Sequence, residues 1–123
     1  MTGKVEDQIR NRLIREFLDL IILRRLMDVS SSGYDVIQYL VRRHIICLSP
    51  GIVYSTLYSL EREGLVEAEY KGKKRVYFIS RKGESLIKQY QESLDGIVEF
   101  VTEFFRDLIA TEEESILHIE TKN

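Results

Sequence analysis

The side chains best suited to molecular recognition lie between residues 49 and 75, in two adjoining groups. The first group combines small residues, hydroxyls and tyrosine rings with one cation: Ser49, Gly51, Ile52, Tyr54, Ser55, Tyr58, Ser59 and Arg62. The second group is cationic and follows a short apolar run: Lys71, Lys73, Lys74 and Arg75. Hydroxyls hydrogen-bond to phosphate oxygens and base edges, and lysine and arginine neutralise phosphates. Together the two groups indicate a nucleic-acid contact surface.

A helix predicted over residues 49–63 must position the first group. Ser49 can accept hydrogen bonds from first-turn amides, Pro50 suits the first helical position, and Gly64 is suited to end the helix. One apolar stripe at helical spacing should face a core: Val53, Leu57 and Leu60. The opposite face, which bears the first group, is almost without charge. A solvated helix face of this length usually carries several Lys or Glu, so this face is suited to contact a partner.

A β-hairpin must position the second group, and two short runs with alternating side chains, over residues 65–70 and 75–80, predict it. The connecting residues 71–74 form a tight turn in which Gly72 permits a positive φ. The cations therefore lie at the hairpin tip. A capped helix followed directly by a hairpin with a cationic tip is typical of a winged helix-turn-helix. In that fold the helix enters the major groove, and the wing contacts phosphates or the minor groove.

Each side chain of the first group has an expected contact in such a complex. Hydroxyl contacts to phosphates or base edges are expected from four side chains: Tyr54, Ser55, Tyr58 and Ser59. Gly51 would allow close approach of the backbone, and Ile52 could meet a thymine methyl. Ser49 would cap the helix while the neighbouring amides face a phosphate. Arg62 lies near the helix end and would reach the DNA backbone.

Three segments resemble the PadR family of transcriptional regulators. They are Gly33-Tyr34-Asp35; Leu48-Ser49-Pro50-Gly51-x-Val53-Tyr54, continuing to Leu57, Leu60, Glu61, Glu63, Gly64 and Leu65; and Lys73-Lys74-Arg75-x-Tyr77-x-Ile79-Ser80-x-Lys82-Gly83. The resemblance covers roughly residues 18–90. It implies a homodimer with a winged-helix core and a C-terminal dimerisation helix, a repressor rather than an activator, and a core position for the ring of Tyr34. The chain departs from the family at its tail, which is short and has no Trp.

Two helices are predicted upstream of this region, over residues 5–28 and 33–44. Residues 17–23 are apolar almost all round and should be buried on more than one side. The first two turns are amphipathic and could contact a partner subunit; a membrane-surface helix is the alternative. Ser32 and Asp35 form a capping-box-like start of the second helix. Three basic residues in its last turn either complement the helix dipole or contact phosphates: Arg42, Arg43 and His44.

Downstream of the wing, Ser80 is suited to cap a final helix. From Tyr90 the apolar positions follow a 3.5-residue repeat: Tyr90, Leu94, Ile97, Val101, Phe104 and Leu108. This seam predicts a dimer interface that packs partly against the first helix of the other chain; the alternative is that it folds back on its own core. A pocket for a small aromatic effector, lined by Tyr90, Phe100 and Phe104, is a further hypothesis, with plain core packing as its alternative.

Charge is unevenly distributed along the chain, whose 123 residues have a formal net charge of −2. Residues 1–90 carry 16 Lys and Arg against 11 Asp and Glu, whereas residues 91–123 carry 2 against 9. The protein can therefore present a cationic surface to DNA without being basic overall. We expect a winged-helix DNA-binding domain over residues 1–85, and a dimerisation helix with an acidic tail over residues 86–123.

Other functional classes lack a sequence signal. His44 and His118 are the only histidines, Cys47 is the single cysteine, and no phosphate-binding glycine loop occurs, so the sequence predicts no enzyme, metal site or cofactor. Cys47 lies in an apolar run and is expected to be a small buried side chain; a redox-sensing thiol is the alternative. One unpaired cysteine fits a reducing cytoplasm, and no apolar stretch reaches the roughly 18 residues that indicate a membrane span.

The sequence as a whole predicts a mainly α-helical protein with a small β-hairpin. The architecture is a winged helix-turn-helix with a long C-terminal dimerisation helix. Its expected partners are double-stranded DNA and a second copy of the chain. The alternative function is that of a winged-helix protein–protein interaction module without sequence-specific DNA binding. The almost uncharged helix face favours this alternative, and the cationic hairpin tip argues against it.

Overall fold

The computed structural model describes residues 3–44, 48–111 and 113. In chain order its elements are α1 (Lys4–Glu16), α2 (Leu18–Asp28), β1 (Ser31–Ser32), α3 (Gly33–His44), α4 (Pro50–Arg62), β2 (Val66–Lys71), β3 (Lys74–Ile79), α5 (Arg81–Glu92) and α6 (Leu94–Ile109). The strands form one antiparallel sheet in the order β1-β3-β2. The chain divides into two compact units, Met1–Lys88 and Gln89–Asn123. This mainly helical winged-helix architecture confirms the predicted fold class.

The core of the first unit is built from one face each of α2, α3 and α4, closed by the sheet. The stripe predicted for α4 is confirmed, because Val53, Leu57 and Leu60 are between 0% and 2% exposed. The remaining side chains exposed by no more than 3% come from α2, α3 and the sheet: Leu18, Ile22, Leu23, Leu26, Val36, Leu40, Val66 and Tyr77. Burial of this stripe orients α4, so its opposite face points away from the core.

Ser49, Pro50 and Gly64 lie at the two ends of α4 as expected, and Lys82 adds a further contact. The hydroxyl of Ser49 accepts a hydrogen bond from the amide of Ile52, with Pro50 at the first helical position. At the other end Gly64 has a φ of +76°, a conformation that favours glycine. The Nζ of Lys82 donates to the carbonyl of Glu63 at 2.7 Å, which satisfies one of the last carbonyls of the helix.

The hairpin is confirmed with slightly shifted strand ends. Lys71 pairs with Lys74, and Gly72 in the turn has a φ of +66°. The third strand, β1, was not predicted. It consists of Ser31 and Ser32, two buried polar residues whose pairing partners on β3 lie far away in sequence. Two residues are too few to show a period-two pattern, so local sequence carries no signal for this strand.

The predicted single helix over residues 5–28 is wrong in one respect, because it is interrupted at Phe17. Phe17 has φ −105° and ψ 22°, yet its amide still bonds to the carbonyl of Leu13 and its carbonyl accepts from the amide of Ile21. The two helices differ in environment: α1 has no buried residue, whereas α2 buries four. The interruption coincides with the point where the chain enters the core.

The predicted final helix is also divided. Its cap is confirmed, because the hydroxyl of Ser80 accepts a hydrogen bond from the amide of Gly83 at 3.1 Å. The helix ends at Glu92, and α6 begins after Ser93, whose φ of −94° and ψ of 2° are not helical. The Ser93 amide is shared between the carbonyls of Gln89 and Tyr90. Such a shared bond is common where a helix terminates.

The core position implied for Tyr34 is wrong, because this side chain is 61% exposed. In α3 the inward positions are Val36 and Leu40, both at most 1% exposed. A residue two positions before Val36 lies about 200° away around the helix, on the opposite side. The prediction for Cys47 and most of the predicted acidic tail lie outside the described residues.

The capping box at the start of α3 generates a prediction about pH. The amide of Asp35 donates to the Ser32 hydroxyl, and the amide of Ser32 donates to Oδ2 of Asp35, both at 3.1 Å. These hydrogen bonds hold the pKa of Asp35 below its ordinary value of 3.8. A carboxylate with a lowered pKa stabilises the fold above its unfolded-state pKa and loses that contribution as the pH falls through its folded-state pKa.

We therefore expect Asp35→Asn to lower the free energy of unfolding by about 0.5–1 kcal/mol at pH 7. The difference from the wild type should shrink as the pH falls below 3.8. Urea unfolding at pH 7 and pH 3 measures both values. Glu67→Gln, a neutralisation at an exposed strand position, serves as the control. A difference for Asp35→Asn that does not depend on pH would contradict the assigned role of the carboxylate.

Candidate nucleic-acid interface

The first group of predicted contact residues lies together on the face of α4 that points away from the core. Two of its larger side chains, Ile52 and Tyr58, are 41% and 44% exposed. Four others are also exposed: Ser49, Gly51, Ser55 and Arg62. The last two, Tyr54 and Ser59, are half-buried. We call this set the outer face of α4; Arg62 is its single charged residue, and the face carries no acid.

The hydroxyls of the outer face already make local hydrogen bonds. Nη2 of Arg62 donates to Oγ of Ser59 at 3.0 Å, which holds the guanidinium beside the helix end. Oγ of Ser55 donates to the carbonyl of Ile52 at 3.4 Å, and Oγ1 of Thr56 donates to the same carbonyl at 2.8 Å. A hydroxyl has one donor and two acceptor positions. Each of these serines therefore keeps hydrogen-bonding capacity for a ligand.

Tyr54 is positioned by close packing of α4 against α3. A Cβ atom added at Gly33, the buried first residue of α3, would collide with the aromatic ring of Tyr54. The Tyr54 and Tyr58 rings follow each other along α4, with centroids 6.5 Å apart and a tilt of 34°. Gly33 thus allows the ring of Tyr54 to lie directly against the α3 backbone. No local sequence pattern indicates this role, since the two residues are 21 positions apart.

The wing cations divide into two kinds. Lys71, Lys73 and Lys74 are exposed at the hairpin tip, and the Nζ of Lys71 lies 5.2 Å from the centroid of the Phe78 ring. Arg75 instead forms an ion pair with Glu61 of α4, with Nη2 at 2.8 and 2.7 Å from the two carboxylate oxygens. The three lysines are therefore the cations that the wing presents to solvent.

The Glu61–Arg75 ion pair ties the wing to α4. The guanidinium of Arg75 also lies over two rings, 5.8 Å from that of Tyr58 and 5.5 Å from that of Tyr77. Glu61 is not simply a solvated residue at the helix end, because its side chain is 32% exposed and engaged by Arg75. The pair joins residues 14 positions apart, so helix periodicity alone does not reveal it.

The electrostatic environment keeps this region cationic. Burial raises the pKa of the Tyr77 phenol above its ordinary value of 10.0, although Arg75 opposes the shift, so the phenol stays neutral at physiological pH. Burial disfavours the charge of Arg75, but attraction by Tyr77 and Glu61 outweighs it and the pKa of Arg75 is raised. The guanidinium therefore remains charged at physiological pH.

The Ser80-x-Lys82-Gly83 segment holds the end of α4 against the start of α5. Oγ of Ser80 donates to the carbonyl of Gly64 at 2.6 Å, in addition to capping α5. Gly83 is buried, and a Cβ there would collide with the carbonyl oxygen of Leu65 and the side chain of Ile79. These contacts give the segment a positioning role for α4, which the sequence motif did not by itself reveal.

The predicted dimer seam lies on the surface of the described chain. All six of its side chains are between 40% and 63% exposed: Tyr90, Leu94, Ile97, Val101, Phe104 and Leu108. Phe104 contacts Phe100 at a centroid distance of 6.0 Å and Phe105 edge-to-face at 5.4 Å. Because Tyr90, Phe100 and Phe104 are 41–58% exposed, they enclose no pocket within the described residues of one chain.

The described residues contain neither a metal-binding cluster nor a membrane-spanning helix. None of these residues forms a group of three or more His, Cys, Asp or Glu side chains that could hold a metal ion. In the same part of the chain, no helix is both long enough and apolar enough to cross a membrane.

Comparison with known proteins identifies the relatives of this chain. The sequence model of the transcriptional regulator PadR-like family matches residues 22–89, from α2 into α5. An uncharacterized protein from Lysinibacillus sphaericus is 25% identical over 107 residues, which cover 81% of this chain and 98% of that protein.

Solved structures share the fold. A transcriptional regulator from Clostridium thermocellum has a TM-score of 0.67 at 24% identity, covering 76% of this chain and 94% of that one. A PadR-like transcriptional regulator from Bacillus cereus has a TM-score of 0.66 at 22% identity, covering 82% and 99%. At these identities the similarity establishes the winged-helix architecture, and the family match rests on the sequence model.

The contact between Gly33 and Tyr54 generates a prediction about stability. Gly33→Ala should lower the free energy of unfolding by about 1–3 kcal/mol, because the new methyl group must displace the tyrosine ring. Gly51→Ala is the matched control: nothing lies within 4 Å of its added Cβ, so stability should be unchanged or slightly higher. Urea unfolding compares the two. In a Tyr54→Ala background the cost of Gly33→Ala should disappear; if it persists, the ring contact is not its cause.

Proposed function

The chain belongs to the PadR-like family of transcriptional regulators, and on this premise we propose that it is a homodimeric repressor that binds an inverted-repeat operator. The observation that carries the proposal is the arrangement of the outer face of α4 beside the wing. The first surface offers hydroxyls, an aliphatic side chain and close backbone approach; the second offers three exposed lysines. Such a pair of surfaces suits a groove lined on both sides by phosphates.

The outer face of α4 would supply the sequence-reading contacts. A 13-residue helix is about 20 Å long, and the major groove, about 12 Å wide, admits it. With the N-terminus of α4 innermost, Gly51 and Ile52 would approach the base edges, where Ile52 could contact a thymine methyl group. Ser55, Tyr58 and Ser59 would follow along the groove wall. The amide of Gly51, the first N–H after Pro50, would face a phosphate.

A homodimer would cover apolar surface that a single chain leaves exposed. The 16-residue helix α6 has no buried residue, although its apolar positions repeat at coiled-coil spacing. The 13-residue helix α1 likewise has no buried residue. We propose that the α6 seams of two copies pack together, each partly against the partner's α1. A two-fold axis would then place the two α4 helices in successive major grooves, about 34 Å apart.

The repressor assignment rests on the family resemblance alone. A small aromatic effector, if one binds near Tyr90, Phe100 and Phe104, would require the assembled dimer to enclose it.

The competing function, a protein-interaction module, is favoured by one observation. The outer face of α4 carries a single arginine and neither Asn nor Gln, the side chains that most often read bases.

Selection from random duplex DNA tests the dimeric regulator. The wild type should enrich an inverted repeat with half-sites centred about one helical turn apart, and affinity should fall steeply as salt rises. Val101→Glu places a charge in the proposed seam; we expect a monomer by analytical ultracentrifugation and enrichment of no repeat. Gly96→Glu, on the opposite side of α6 with open space around its Cβ, is the matched control and should behave as the wild type.

The same experiment distinguishes the alternatives. If the protein is a folded dimer but enriches no sequence at low or at high salt, operator binding is contradicted and the protein-interaction module is favoured. Equal dimerisation of the Val101→Glu and Gly96→Glu variants would contradict the α6 seam while leaving DNA binding intact.

The two kinds of wing cation predict different salt dependences. Lys73→Ala and Lys74→Ala should each reduce the slope of log affinity against log salt by roughly 0.9, because each lysine would release one counterion. Arg75→Ala should reduce it less, since Glu61 already pairs with this charge. Lys88→Ala, an exposed substitution on α5, is the control. If the slope is unchanged when Lys73 and Lys74 are both replaced by Ala, the wing does not contact DNA. If Arg75→Ala reduces the slope as much as a lysine substitution does, Arg75 does not act mainly by linking the wing to α4.

A further inference from the structure

A cleft of about 560 Å³ lies in the first unit, between the C-terminal end of α2 and the length of α3. Its walls carry three arginines and two tyrosines: Arg25, Arg42, Arg43, Tyr34 and Tyr39. Asp35 and Gln38 also line it, so its charged side chains sum to +2 at neutral pH. A cleft of this volume is within the range of small-ligand sites. None of these side chains belongs to the outer face of α4 or to the exposed lysines of the wing.

Arg25 is held in the cleft wall in an unusual way. Its guanidinium carbon lies 4.4 Å from the centroid of the Tyr39 ring, so the cation stacks on the aromatic face. Its Nε atom is enclosed by protein and has no hydrogen-bond acceptor within the described ranges. A donor that is buried without an acceptor costs free energy unless a ligand supplies one. The stacking on Tyr39 fixes the Arg25 guanidinium at the cleft, and its Nε donor has no acceptor among the described residues.

Arg42 and Arg43 add two further guanidinium groups at the other end of α3. Neither forms an ion pair with an acidic group of residues 3–44, 48–111 or 113. Complementation of the α3 dipole explains cations in the last helical turn. It does not explain why Arg25, from a different helix, faces the same cleft. Guanidinium groups that line one cleft suit the recognition of phosphate, because their planar donors match its oxygens.

We propose that this cleft binds a small phosphorylated ligand with a planar ring, of the nucleotide class. The phosphate would be bound by Arg42 and Arg43, and the ring would lie on the exposed face of Tyr34. Asp35 is the one acid of the lining; its Oδ2 accepts the Ser32 amide, and its remaining lone pairs suit the hydroxyl groups of a sugar. The site is separate from the proposed DNA surface, so it does not depend on the proposed operator.

Calorimetric titration of the full chain with adenosine monophosphate tests the site. We expect saturable binding that is tighter than binding of adenosine or inorganic phosphate alone, because the ring and the phosphate contact different walls. The double variant Arg42→Ala/Arg43→Ala should weaken binding about tenfold or more. Arg10→Ala/Arg12→Ala, which removes two exposed arginines from α1, is the charge-matched control and should bind as the wild type. Circular dichroism and thermal unfolding establish that both double variants are folded.

Three results would overturn the proposal. The first is absence of binding by the wild type at millimolar nucleotide. The second is an equal loss of affinity in the two double variants, which would indicate non-specific charge attraction. The third concerns the source of the phosphate that the cleft binds. If random duplex DNA displaces the nucleotide, and Arg42→Ala/Arg43→Ala weakens DNA binding as much as nucleotide binding, the cleft belongs to the DNA surface. Retention of wild-type DNA affinity by that variant, together with lost nucleotide binding, would support a separate site.

Discussion

The burial of Val53, Leu57 and Leu60 along one side of α4 is the constraint on which the recognition surface depends. Each fully buried aliphatic side chain contributes about 1.5–3 kcal/mol, whereas a partly exposed ion pair contributes about 0–1 kcal/mol. Apolar burial therefore decides which way α4 is turned, and the Glu61–Arg75 pair can only refine its position. The outer face points away from the core because these three side chains are buried on the opposite side of the helix.

The C-terminal end of α4 is fixed by a second set of contacts. Gly64 reverses the chain, Ser80 bonds to the Gly64 carbonyl, and Lys82 bonds to the Glu63 carbonyl. The backbone of α5 then passes so close to Leu65 that only glycine fits at position 83. The helix, the hairpin and the start of α5 consequently share a few hydrogen bonds around one turn. This arrangement joins the end of α4 to the base of the hairpin and to the start of α5.

Elements with strong local signals were predictable, and features that depend on distant residues were not. The cap at Ser49, the positive φ of Gly64 and Gly72 and the apolar stripe together specified α4 and the hairpin. The strand β1, the Glu61–Arg75 pair and the packing of Tyr54 on Gly33 join residues far apart in sequence, and no periodicity encodes them. Tyr34 is a different case: its helical spacing from Val36 places it on the exposed side, whereas the family resemblance implies a core position.

The chemistry of the outer face limits how a proposed operator could be read. A bidentate contact from Arg, Asn or Gln discriminates a base by about 1–3 kcal/mol, but the outer face offers only Arg62, near the helix end, and hydroxyls that serve as donor or acceptor alike. Each half-site would therefore be read weakly. Two copies related by a two-fold axis would double the base contacts and fix the spacing of the half-sites. Because the wing lysines attract any duplex equally, discrimination would depend on the dimer more than on any single side chain.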